Sequence, residues 1–544
     1  MNRTPTAPLR RRIAAAASTL LLVGLGACSA TDATSDTGAA TTVSGSTGTS
    51  TAVDTSSVVS GVPTLDATHA DDNDLEWDAA DATVVSLEDG GSAVDGSGAE
   101  VDGDVVSISA PGTYLLSGTL SDGQVVVDSD ADGKVVLVLD GVDLTSAPSS
   151  PLVITAADEA VVVLAEGSDN TLSDAAASAA DDEEEDAPNA TLFSMADLTI
   201  GGEGALTVHG LSNDGITSKD GLVILSGDLT VDAVDDGIRG KDYLVVEDGT
   251  LEVDAGGDGL KADNEDVDEY GWILLEGGTV TVTAGSDGAD AVGAVYVVDG
   301  ELDVPASEEG LEAMLIRLTG GSVSVNASDD GLNATAGTAD GGAEQVEDGV
   351  LLDITGGTVQ VWAGSDGIDS NGQASITGGT VVVSSAAAMG GNGVFDVNGA
   401  FESPGVVALE SEVSEGERVS LVDDSGTVVA TFVATADGTP TVAAADLGSG
   451  TAYAVWTGSA DAAADSTDGL TQVGSVTASD ASVAGGPGGF GGGRGGPGGG
   501  PGGPGGERGG PGGPQGRPGL PPAYVSPDPE SSVSPDSSGD ETLS

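Results

Sequence analysis

Between about Trp77 and Ala400 the chain alternates short β-branched runs with glycine, aspartate and asparagine. Val135-Val136-Leu137-Val138-Leu139 and Val161-Val162-Val163-Leu164 are examples. Such runs with turn punctuation predict strands, and no helical periodicity competes with them. Eight segments of the form Gly-x-[Val/Leu]-x-Val end on Val208, Val231, Val253, Val282, Val304, Val325, Val361 and Val383. The steps between them are 23, 22, 29, 22, 21, 36 and 22. Acidic and Gly/Ala-rich loops at 264–269 and about 334–347 account for the two long steps. A period near 22 without helices predicts stacked repeats: an all-β, right-handed parallel β-helix of about 22 residues per coil.

Residue types fit that stacking. In Thr279-Val280-Thr281-Val282 alternate side chains face opposite ways, so the valines would form an inner apolar column. The pairs Gly277-Gly278, Gly320-Gly321, Gly356-Gly357 and Gly378-Gly379 would supply the positive φ of sharp corners. Aromatics are scarce, which leaves Val, Leu, Ile and Ala to build the core.

A second register lies on the first. An acid stands five residues after six of the valines, at Asp236, Asp258, Asp287, Glu309, Asp330 and Asp366, and six after Val208, at Asp214. Glycine follows each one. Asp220, Asp242 and Asn264 recur six residues after their acids, and Asp235 and Asp329 directly precede theirs. Asp-Gly is ordinary turn chemistry, with the carboxylate capping backbone amides. Yet unit charges stacked ~4.8 Å apart repel by about 1 kcal/mol in water and a few kcal/mol at an effective dielectric near 20. Asparagine would make the same turn without that cost. Oxygen ligands on rigid turns suit a hard cation, so calcium is the expected cofactor beside the turn reading.

Net charge is −76, from 90 Asp and Glu against 14 Lys and Arg. That balance excludes general nucleic-acid binding. Two histidines, His69 and His209, and one cysteine argue against zinc, disulfides and Ser-His-Asp chemistry. Four of the few basic residues cluster: Lys219 and Lys241 stand 22 apart, as do Arg239 and Lys261. They read either as salt-bridge partners of the acids or as a cationic strip for carboxylates of an acidic glycan. Tyr243, Tyr270 and Trp272 lie nearby, as sugar-stacking aromatics or packed ones.

The first residues carry a basic n-region with Arg3 and Arg10-Arg11-Arg12, an apolar stretch from 13 to about 24, then Leu25-Gly26-Ala27-Cys28. The layout is that of a signal peptide, and its end resembles a bacterial lipobox. That resemblance implies lipidation at Cys28 and attachment to the outer face of the cytoplasmic membrane through the lipid alone. No other segment is apolar and long enough to span a bilayer. The expected organisation is a signal peptide at 1–27, a disordered Ser/Thr/Gly/Ala tether at 28–72 and the β-helix at 73–400. A small β-domain at 401–482 and a disordered Gly/Pro-rich tail at 483–544 follow, with an acidic loop at 181–186 inside the β-helix. A monomer is expected.

Several phrases together resemble a known family. They are Ser212-Asn213-Asp214-Gly215-Ile216, Asp235-Asp236-Gly237-Ile238-Arg239-Gly240-Lys241-Asp242, Gly257-Asp258-Gly259-Leu260-Lys261 and Glu309-Gly310-Leu311-Glu312. Gly112-Thr113-Tyr114-Leu115-Leu116-Ser117-Gly118 and Leu137-Val138-Leu139-Asp140-Gly141-Val142 stand upstream. The chain is similar to bacterial carbohydrate-binding β-helix proteins related in fold to pectate lyases. The resemblance implies bound calcium and binding of polysaccharides such as polygalacturonate and cellulose, without an established lyase activity. The leading expectation is therefore a cell-surface, calcium-dependent polysaccharide-binding protein. Two alternatives stand beside it: a calcium-dependent lyase using Arg239, Lys241 or Lys261 as base, and a structural or adhesive surface protein with calcium for stability alone.

Overall fold

The computed structural model describes residues 61–71, 73–147, 149–175, 187–266, 270–337, 346–385 and 393–481. Cys28, the acidic loop at 181–186, most of the tether, part of both insert loops and the tail lie outside the described residues. The described chain is nearly all β, with one short 3-10 turn at Leu65–Ala67. Among the described residues no helix is long and apolar enough to cross a membrane.

Each repeat of about 22 residues contributes three short strands, and each strand pairs in parallel with its counterpart one repeat on. One ladder runs through Ala205–Gly210, Asp228–Ala233, Thr250–Ala255 and Thr279–Ala284. A second runs through Asp214–Ser218, Ile238–Gly240, Leu260–Ala262, Ala289–Val297, Leu311–Leu318, Leu332–Ala334, Ile368–Ser370 and Phe395–Val397. A third runs through Leu198–Gly202, Gly221–Ile224, Tyr243–Val246 and Trp272–Leu275. Parallel pairing keeps identical positions in register, so alike side chains stack.

The valine column of the sequence is such a stack. Val208, Val231, Val253 and Val282 are register partners, as are Val304, Val325, Val361 and Val383, and all are buried. A bulge between Thr281 and Thr283 separates the two runs. With Ile216, Ile238, Leu222 and Leu244 from the other ladders the valines form one continuous apolar core. At the Gly-Gly corners the second glycine takes positive φ: 77° at Gly278, 69° at Gly321, 78° at Gly357 and 73° at Gly379.

The first ladder ends where the chain reverses direction. Thr441–Ala444 pairs antiparallel with the last ladder strand, Thr380–Ser385, and with Val406–Ala408. Beyond it stands a four-stranded antiparallel sheet in the order Val428–Val433, Glu417–Val422, Ala452–Ser459, Thr471–Thr477. Its core includes Trp362 and Val382, outer side chains of the last repeats, so the small sheet covers the flank of the stack it follows.

The end of the expected tether differs from the sequence reading. Residues 61–71 pack against the third ladder: Val62, Leu65 and Ala70 lie on a cluster of Val223, Tyr243, Val245, Trp272 and Leu274. Leu75 and Trp77 continue onto Val138, Val161 and Val163. The outer face of this ladder is apolar, and the segment shields it from water.

Candidate functional site

The recurring acids fall on one edge of the second ladder, where each short strand begins. The glycine after each acid is there for space. A Cβ at Gly237, Gly259 or Gly331 would lie 2.4, 2.0 or 2.0 Å from a Cγ of Val253, Val282 or Val361 in the next repeat. None of these three glycines has positive φ. Their amides donate to the carbonyls of Asp258, Asp287 and Asp366 in the following repeat. The acid itself has two jobs, one for each oxygen. One oxygen accepts the amide of the next acid down the stack: Asp258 N to Asp236 Oδ1 at 3.0 Å, Asp287 N to Asp258 Oδ1 at 3.1 Å, and Asp366 N to Asp330 Oδ1 at 2.8 Å. Turn chemistry is therefore present, and it uses half of each of these carboxylates.

What the other oxygen meets is set by a second column, three residues on. Thr217, Arg239, Lys261, Asp290, Glu312, Asn333, Asp369 and Asp396 are successive register partners. The column changes sign between Lys261 and Asp290. Above the change, Lys261 Nζ lies 2.5 Å from Asp258 Oδ2 and 3.1 Å from Asp236 Oδ2. Arg239 is bound two-pronged by Asp263, at 3.0 and 2.5 Å, and reaches Asp214 at 4.0 Å. Below the change, acid faces acid: Asp290 beside Asp287, Glu312 beside Glu309, Asp369 beside Asp366.

The titration behaviour follows the geometry. Burial raises Asp287 to about 7, helped by the charges of Asp258 and Glu309. Burial and the Asp258 charge raise Asp290 to about 6. Burial and a hydrogen bond shared with Glu309 raise Glu312 to about 9. Further along, burial raises Asp330 to about 6, and burial with the Asp330 charge raises Asp369 to about 8. Burial also raises Asp366, although the Gly393 amide opposes it. Oxygens of Asp287, Glu309 and Glu312 all lie within 4.8 Å of one another, and the residues are half-buried. Three converging carboxylates with no ammonium or guanidinium among them have the donor set of a hard divalent cation.

Several residues singled out from the sequence stand elsewhere. Asp220, Asp242 and Asn264 follow the far end of the short strands. There Asn264 donates to Asp242, and burial with the Asp197 charge raises Asp220 to about 7. Asp235 and Asp329 are exposed beside the acid column. Arg239 and Lys261 are ion-paired, which corrects the expectation of a cationic strip free for ligand. They are also poor bases. Burial disfavours Lys261's charge, but the Asp258 hydrogen bond and the charges of Asp236 and Asp258 outweigh it and raise its pKa. Among the described residues Lys241 has its ion pair with the exposed Asp266, at 4.0 Å. Lys219 lies over the Phe193 ring at 5.9 Å, and burial, with Arg239 nearby, lowers its pKa. Tyr243 and Trp272 are not a sugar platform: they stack on each other at 5.0 Å, are 6% and 9% exposed, and lie under residues 61–71. His69 of that segment hydrogen-bonds Tyr243 Oη at 2.8 Å and sits 3.3 Å from Asp197.

The sequence reading did not single out Asp290, Glu312 and Asp369, the acids that stand beside the recurring column. The signal was there: each stands three residues after an acid, at the offset that Arg239 and Lys261 occupy in earlier repeats.

A family model for carbohydrate-binding domain-containing proteins matches residues 102–391, more than half of the chain, and the chain belongs to that family. A relative in Acetivibrio thermocellus, itself described as a carbohydrate-binding domain-containing protein, is 42% identical over 128 residues. The match covers 24% of this chain and 45% of the relative, so the chain spans just under half of that relative's length. A solved structure, a gadolinium derivative of the polysaccharide lyase-like protein from C. thermocellum, is 32% identical, with a TM-score of 0.40. The likeness covers 47% of this chain and 98% of the solved one.

Proposed function

We propose that this protein binds polysaccharide outside the cell, and that calcium held in the lower part of the acid columns joins it to an acidic glycan such as polygalacturonate. The observation that carries the reading is the change of sign in the second column. Where Lys261 stands, its ammonium pairs with Asp236 and Asp258; where Asp290, Glu312 and Asp369 stand, an acid takes the place of that cation. Asp287, Glu309 and Glu312, with Asp290 beside them, would hold one cation. Bound calcium supplies positive charge that a uronate carboxylate can share as a ligand. In a chain of net charge −76 that converts repulsion of an acidic glycan into attraction.

The stacked triplets of parallel strands support a right-handed parallel β-helix as the architecture, and the leader supports lipid attachment at Cys28. Both belong to this proposal. A neutral glycan such as cellulose would need no bridging ion, and this separates the two ligand classes.

The test is a calcium titration and a glycan-binding assay on the full mature chain and on Glu309→Gln with Glu312→Gln. Both variants keep the size of the side chain and remove its charge. Calcium affinity is expected to fall at least about tenfold, a loss of ~1.4 kcal/mol, and polygalacturonate binding to fall with it. Glycan binding that is indifferent to chelator and to these substitutions would leave the family's carbohydrate binding without the calcium bridge. An assay for unsaturated uronate product separates binding from lyase action.

A further inference from the structure

Among the described residues, the small antiparallel sheet ends on a strand paired on one side only. Thr471–Thr477, Thr-Gln-Val-Gly-Ser-Val-Thr, pairs with Ala452–Ser459 on one side and with no described strand on the other. Every residue of it except Val476 is exposed, and Val473 is 55% exposed. Open edges are normally blunted by charge, proline or bulges, because free N–H and C=O groups recruit another strand. This strand carries no charged residue and no proline, in a chain where 90 of 544 residues are acidic. One bulge interrupts it, with Val473 as the extra residue opposite the Val455–Trp456 step, and the strand pairs in register on either side of it.

A cleft of about 290 Å³ lies against the same edge. Its apolar lining is Leu409, Val413, Val455, Val473 and Val476, and all but Val473 belong to the core of the small sheet or pack against it. The core is thus open where the sheet ends. Glu410 and Glu412, both exposed, stand on the segment that forms the opposite wall.

We infer that this edge is a docking site for an extended, basic polypeptide segment of a second protein, which adds a fifth strand to the small sheet. Main-chain hydrogen bonds to Thr471–Thr477 would supply the pairing. Alternate side chains of the added strand would point to opposite faces, so a small aliphatic one enters the cleft while its lysine or arginine neighbours meet Glu410 and Glu412. Charge selects the partner. An acidic segment is repelled by the rim, and a second copy of a chain with net charge −76 is repelled over longer range. The site is distinct from the acid columns and does not depend on calcium.

The test is calorimetric titration of the full mature chain with the capped peptide Lys-Val-Lys-Val-Lys-Val-Lys. Three peptides of the same length serve as controls: one with Glu for Lys, one N-methylated at alternate amides, and one with Gly for Val. Binding by the Lys-Val peptide alone is expected. It should fall about tenfold or more in Val473→Lys with Ser475→Lys, and about threefold in Glu410→Gln with Glu412→Gln. Val473→Ser, which adds no charge, should bind more tightly than the lysine variant, with an unchanged melting temperature in all variants. No binding at about 1 mM peptide, or equal binding by the N-methylated peptide, would overturn the proposal. So would a dimer in light scattering that Val473→Lys dissolves, since the occupant would then be a second copy.

Discussion

Replacing Lys261 by methionine isolates what the second column does. Methionine keeps most of the side-chain volume and removes the ammonium that lies 2.5 Å from Asp258 and 3.1 Å from Asp236. Breaking a buried pair by removing one partner costs about 3–5 kcal/mol. The Lys261 side chain is 22% exposed, so solvent screens part of that, and a loss of about 2–3 kcal/mol is expected in chelator. A domain of this size loses roughly 2–4 °C of melting temperature per kcal/mol, which predicts a fall of about 4–12 °C. The substitution also leaves Asp236 and Asp258 facing Asp290, the register partner of Lys261, in the arrangement found lower down. Calcium is therefore expected to stabilise the variant more than the parent, by about 2.7 kcal/mol at a hundredfold excess over Kd, and to bind with one more ion per chain. Differential scanning calorimetry with chelator and with calcium, plus metal analysis, reads both effects. An unchanged melting temperature in chelator would refute the pairing energetics. A fall that calcium does not recover would refute the equivalence of ammonium and metal ion in the column.

Three further outcomes follow from the same geometry. In chelator the protein should become less stable as pH rises from about 5 to 9. Asp290, Asp287 and Glu312 titrate near 6, 7 and 9 when folded, above their ordinary values, so the folded state holds protons that the unfolded chain has released, and that stability is lost through this window. Calcium requires the same groups ionised, so its stabilising effect should grow over the same interval; a melting temperature in chelator that is flat with pH would contradict both. Gly331→Ala should destabilise by about 1–3 kcal/mol through contact with Val361, while Asp330→Asn should keep the amide hydrogen bond from Asp366 and cost less, as denaturant titration in chelator would show. Cys28→Ser should abolish lipid labelling and membrane retention, and unchanged retention would set the lipid proposal aside.

The valine and acid registers were legible because parallel stacking repeats a position at nearly constant spacing, and glycine marks the phase. The meaning of the acids was less legible. Glu309 and Asp258 look alike in sequence, since each is an acid before glycine. They differ in the residue three positions on, Glu312 or Lys261, and that residue acts on the acids of its own repeat and the one before it. Reading Arg239 and Lys261 as a separate strip hid the fact that Asp290 and Glu312 continue their column. Tyr243 and Trp272 stayed open between packing and sugar stacking for a longer-range reason. Their outer face is covered by a segment nearly two hundred residues upstream, which composition alone assigns to the tether.

That covering segment determines where a pull on the protein is felt. Residues 61–71 lie beside Tyr243 and Trp272, in the middle of the stack, and the chain then runs back to Val138 and Val161 before its first strand forms. Tension applied upstream of residue 61 therefore arrives on the flank. It loads His69 against Asp197 and Tyr243, then the three-way clasp of Lys134 on Asp71, Asp74 and Glu159, before any ladder strand is strained. Under such a pull the strap would act as a strain relief, giving up its own contacts before those of the stacked repeats.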